Sequence, residues 1–89
     1  DVLLSEKVTI SGQTDGGELR ATLADLSARL LERAVQRIAD GKADWTPQDD
    51  SLASWAPALQ SEDMRVDWSR DAVDIERQVR AFHPRPAAF

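Results

Sequence analysis

The sequence predicts an α/β chain: one strand, a long helix, a connector and a shorter helix. The prediction rests on a β-type apolar run from Val2 to Ile10 and on apolar residues at helical spacing from Leu19 to Ile38. A second helical stripe runs from Ala72 to Phe82 and is stopped by Pro84.

In the first run Leu4, Val8 and Ile10 share one side by the period of two, with Glu6 as the exception. Val2, Leu3 and Leu4 are continuously apolar, as in a strand covered on both faces. Ser11 to Gly17 holds Gly12, Gly16 and Gly17 among polar residues, which is turn chemistry.

The long helix is placed at Gly17 to Asp40. Leu19, Leu23, Leu26, Leu30, Val35 and Ile38 form its stripe, and Leu31 and Ala34 widen it. Asp15 with Glu18 three residues later fits a capping box, with Thr14 as the alternative cap. Gly41 supplies the left-handed residue that closes a helix end. Arg20, Asp25, Arg29, Glu32 and Arg33 on the polar side read as solvated neighbours of alternating sign.

Lys42 to Met64 shows no sustained period and contains Pro47, Pro57, Asp49-Asp50-Ser51 and Glu62-Asp63, so it reads as a connector. It also carries Trp45 and Trp55. An indole buries on the order of 200 Å², so the connector is expected to lie docked on a folded surface. In the second helix Ser69 is the expected N-cap, and Asp71 suits the positive end of the helix dipole. Ala72, Ile75, Val79 and Phe82 form the stripe. Pro84 pushes His83 out of helical geometry, and His83-Pro84-Arg85-Pro86 is stiff and extended. Trp68, just ahead of this helix, reads as a packing anchor, with stacking on substrate as the alternative.

One strand makes no sheet. Either the remaining strands lie elsewhere or copies of the chain pair with one another. The chain opens without methionine on an apolar pattern and closes on Ala87-Ala88-Phe89, so a segment of a longer polypeptide is expected. In isolation such a segment is expected to melt without cooperativity or to aggregate.

The composition narrows the chemistry. The net charge is −5, which lacks the overall positive field of a nucleic-acid binder. A local basic cluster remains at Arg77, Arg80 and Arg85, with Arg65 and Arg70 upstream. It reads as a solvated face, or else as minor contacts to RNA phosphates. With no cysteine and one histidine, neither a disulfide framework nor a thiolate or His-rich metal site is expected. No run approaches the roughly 18 apolar residues that span a bilayer, and no signal peptide is recognisable. His83 has no orienting carboxylate close in sequence and reads as structural or solvated. Gly16-Gly17 ahead of a helix has the layout of a phosphate site, but Asp15 and Glu18 beside it disfavour an anion.

Several separated patches stand in the order seen in methionyl-tRNA formyltransferases. Asp1-Val2-Leu3-Leu4 resembles the strand after that family's catalytic Asp-Thr-Gly motif. Thr14-Asp15-Gly16-Gly17-Glu18-Leu19 and its leucine-rich helix resemble the family's capped helix. Gly41 resembles the end of that helix, and Pro47-Gln48 the proline-glutamine beyond it. Trp55-Ala56-Pro57 resembles an aromatic-Ala-Pro element. Glu62-Asp63 with Arg65-Val66-Asp67-Trp68-Ser69 resembles an Asp-Trp signature. Arg80-Ala81-Phe82 with Pro84, Pro86 and Ala88-Phe89 resembles the family's Arg-Ala-Phe and Pro-x-Pro ending. The resemblance covers essentially the whole chain. Ala58 and Leu59 stand where the family commonly has a lysine, and Arg85 stands where it often has tryptophan.

The resemblance implies that residues 1–43 end a Rossmann-like formyltransferase domain. Residues 44–64 would be a linker, and 65–89 would open a small C-terminal barrel domain with its first helix. It implies a cytoplasmic enzyme of translation initiation, monomeric when complete and needing neither metal nor membrane. That enzyme passes the formyl group of 10-formyltetrahydrofolate to the amino group of methionyl initiator tRNA. The family's catalytic Asn, His and Asp match no residue here, and His83 is not the catalytic histidine. The formyl donor is expected to be held mainly by residues outside this segment, with Arg77, Arg80 and Arg85 as candidate tRNA-side contacts. The departures leave open an amino sugar or peptide-synthetase substrate as the acceptor. A stand-alone helical interaction module is the reading from another class.

Overall fold

A computed structural model describes all residues from Asp1 to Phe89. The chain divides into two compact units, Asp1–Thr9 with Leu23–Ala56, and Ile10–Thr22 with Pro57–Phe89. In chain order the elements are α1 (Gly16–Ala39), a 3₁₀ turn (Asp50–Leu52), α2 (Ser61–Met64) and α3 (Ala72–Phe82).

The local signals read from sequence hold where α1 starts and stops. The Glu18 amide donates to Asp15 Oδ1 at 2.8 Å and the Asp15 amide to Glu18 Oε2 at 3.2 Å, which is the reciprocal pattern of a capping box. At the other end Gly41 takes φ of 67°. The Lys42 amide bonds the Arg37 carbonyl at 2.8 Å and the Gly41 amide that of Ile38 at 3.1 Å, the two bonds of a Schellman closure.

In the first unit Leu26 is 8% exposed and is the chain's one buried residue. Leu30 and Ala34 are half-buried beside the extended segment of Val2, Leu3 and Leu4. Arg33 pairs with Glu6 at 3.6 Å. Leu31, Val35 and Ile38 extend the stripe but stay exposed.

The expected strand from Val2 to Ile10 is not formed. Its one pairing is an antiparallel bridge between Val2 and Thr46, with N–H to O=C distances of 2.7 and 2.8 Å. Residues 3–10 make no backbone–backbone hydrogen bond. A strand exists only through a row of partners, and the chain holds no second β-type run to supply it. The fold is therefore mostly helical, and the α/β expectation is corrected to that extent.

The tryptophans also depart from expectation. Trp55 is 89% exposed, Trp68 81% and Trp45 53%, so the connector does not bury its rings and Trp68 anchors no packing in this structure. With one buried residue, the chain has formed almost no core to take them in.

In the second unit the helix expected to start after Ser69 starts at Ala72, with Asp71 at the cap position. Ser69 turns back instead, and its hydroxyl and amide both donate to Asp67 Oδ1, at 2.7 and 2.9 Å. The half-buried Gln78 of α3 donates from Nε2 to the carbonyls of Asp63 and Arg65, at 2.8 and 3.1 Å. This fixes the end of α2 on α3. Phe89 joins the same segment through its amide to the Met64 carbonyl, 2.9 Å, and its carbonyl to the Val66 amide, 2.6 Å.

In the protein containing this chain, Leu26→Ala should cost about 2–5 kcal/mol, the usual range for truncating a core leucine. Gly41→Ala should cost about 1–2 kcal/mol, because the left-handed conformation crowds an alanine Cβ. Glu32→Ala, on the exposed face, should stay within about 0.5 kcal/mol. Urea unfolding curves of the three variants check this order.

Candidate functional site

Within the second unit, the start of α1 and the end of α3 form the most heavily bonded polar cluster. A turn places the start of α1. The Ser11 amide donates to Thr14 Oγ1 at 3.0 Å, and the Thr14 amide donates to Ser11 Oγ at 3.1 Å. Thr14 therefore closes the turn, and Asp15 caps the helix.

Gly16 and Gly17 then meet the last residues of α3 and the proline after them. The Gly17 amide donates to the His83 carbonyl at 2.9 Å. A Cβ on Gly16 would collide with the Ala81 carbonyl oxygen, and one on Gly17 would stand 2.6 Å from Pro84 Cδ. The glycines were expected as turn residues. Their stronger reason is this backbone-to-backbone approach.

Two side chains of α3 and its cap complete the contact. Arg80 donates from Nη1 to the Thr14 carbonyl at 2.8 Å and from Nε to Glu76. His83 Nδ1 lies 2.9 Å from Asp15 Oδ2. An orienting carboxylate thus does stand at His83, though none is close to it in sequence. It comes from a position 68 residues away, which no local pattern reveals.

Hydrogen bonds hold the Asp15 carboxyl below its ordinary range, the Glu18 amide contributing most, then His83 and the Gly17 amide. Asp67 and Asp49 are lowered in the same way by the hydroxyls and amides of Ser69 and Ser51.

Beside the cluster lies a cleft of about 300 Å³ whose lining includes Ile10, Thr14, Leu19, Arg77, Arg80 and Ala81. It brings Arg77 and Arg80 together. Arg77 also pairs with Asp74 at 3.6 Å. Arg85 is not in this lining and stands exposed between two prolines without an ion pair.

The chemistry available is limited. His83 has a carboxylate partner but no hydrogen-bonded hydroxyl to activate, so the pair ties two helix ends together and forms no catalytic triad. No group of three or more His, Asp or Glu side chains converges to hold a metal ion. No helix is long and apolar enough to cross a membrane.

Comparison with known proteins is consistent along the chain. The formyl transferase C-terminal domain family matches residues 58–89. The methionyl-tRNA formyltransferase of Carboxydothermus hydrogenoformans is 42% identical over the whole chain, which spans 29% of that relative. That of Methylacidiphilum infernorum is 37% identical over the whole chain and 28% of its own length. The Stutzerimonas stutzeri protein is 44% identical over 96% of the chain and 27% of its own length. The chain thus spans less than a third of these relatives.

The sign of the Asp15 effect sets a pH dependence. A carboxyl lowered by folding adds stability that is fully present above its ordinary value of 3.8 and is lost as pH falls through the lower folded value. Asp15→Asn should flatten the acid limb of a melting-temperature profile between about pH 2 and 5. A variant whose acid limb matches the wild type would contradict this.

Proposed function

Since residues 58–89 belong to the formyl transferase C-terminal domain family and the whole chain runs alongside methionyl-tRNA formyltransferases, we propose that it is a stretch of such an enzyme. In this reading the whole protein transfers the formyl group of 10-formyltetrahydrofolate to the amino group of methionyl initiator tRNA in the cytoplasm. Residues 1–43 end its Rossmann-like catalytic domain, 44–64 are the linker, and 65–89 open a C-terminal barrel domain. The observation that carries the reading is full-length similarity to relatives that bear this name, at 37% and 42% identity.

The catalytic groups lie outside this stretch, as does most of the site for the formyl donor. The chain's part is to lead from the catalytic domain into the next one. Arg77 and Arg85 are the candidate contacts to tRNA phosphates. Arg85 has the freest guanidinium, and Arg80 is already bonded to the Thr14 carbonyl and Glu76.

The test is formylation by the intact protein, with 10-formyltetrahydrofolate as donor and charged initiator tRNA or amino sugar nucleotides as acceptors. Turnover of the tRNA is expected, and turnover of the sugar nucleotides alone would overturn the reading. Arg85→Ala should weaken tRNA binding and reduce the slope of log affinity against log salt by about 1, the share of one phosphate contact.

A further inference from the structure

The contact between the end of α3 and the start of α1 has no reacting group in it, yet it is built at some cost. Both positions that face α3 are glycine, the residue that loses most entropy on ordering. The side chain of Arg80 is largely covered, at 23% exposed. Its Nη1 bonds a backbone carbonyl 66 residues away, and its Nε is matched by Glu76. Such a fork is fixed in direction by its acceptors in a way that an ammonium is not. Arg80 therefore holds a defined geometry, with its charge already answered by a carboxylate.

We propose that Arg80 is a positioning residue for acceptor tRNA: through the Thr14 carbonyl it locks α3 onto the start of α1 and so sets how the C-terminal domain presents the tRNA. The proposal rests on the formyltransferase reading, in which Thr14 falls within the first domain, residues 1–43, and Arg80 within the one that residues 65–89 open. The Gly17–His83 backbone bond and the Asp15–His83 pair close the same contact, and Gly16 leaves it room. A ligand that touches both domains gains from a contact set in advance, because the ordering has already occurred. The formyl donor, whose site this reading puts mostly outside this stretch, gains nothing from it.

The experiment uses the intact protein and three variants. Arg80→Met removes both forked bonds. Arg80→Lys keeps the charge and loses the fork. Gly16→Ala forces the helix ends apart and removes no charge. All three should raise KM for methionyl-tRNA about tenfold, the effect of one hydrogen bond to a charged group. The kcat at saturating tRNA and KM for the formyl donor should stay within about twofold. Hydrogen exchange at the Gly17 amide should speed up in each variant, which reports directly that the contact has opened.

Faster exchange at Gly17 with an unchanged KM for tRNA would overturn the positioning role. So would a lysine variant with wild-type KM beside a normal Gly16→Ala, since that pair of results assigns Arg80 a direct charge contact with phosphate. A parallel loss in kcat and in both KM values would reduce the contact to general stability and overturn the proposal as well. Wild-type protein that binds no tRNA and formylates none would instead sink the formyltransferase reading.

Discussion

The backbone of α1 at Gly16 and Gly17 runs against the backbone at the end of α3, and the second unit is organised around that approach. A helix start carries amides without acceptors, and a helix end carries carbonyls without donors. Here one end answers the other, with the Gly17 amide on the His83 carbonyl. The dipoles agree as well, since the positive end of α1 faces the negative end of α3. Asp15 and Glu18 suit the first end, Arg80 and His83 the second, and each side chain then bonds across or along the contact. Remove the room that glycine gives, and the bonds that cross the contact cannot all keep their lengths.

The sequence was legible where structure is local. The start of α1 was readable from Asp15 and Glu18, because a capping box spans three residues. Its end was readable from Gly41, because the left-handed turn needs that residue. The second helix was legible in its stripe and in its stop at Pro84, while its start was misplaced by two residues because Ser69 bonds back to Asp67 and not forward into the helix.

The features that stayed hidden depend on partners distant in sequence. The run from Val2 to Ile10 has β character, but pairing is a property of two segments, and the chain provides only Thr46. The His83–Asp15 pair and the Arg80–Thr14 bond join positions 68 and 66 residues apart, so spacing could not announce them. The family resemblance succeeded for another reason. It read the order of several short patches, and order survives even when no single patch carries chemistry. That is why the function is inferred from alignment with relatives.

The three indoles have an optical consequence. The chain has no tyrosine, so its near-ultraviolet absorption and emission come almost wholly from Trp45, Trp55 and Trp68. All three are more than half open to water in this structure, which sets their emission toward the red. Whatever covers one of these rings, whether another part of the polypeptide or a bound molecule, announces itself as a shift toward the blue, with no label added.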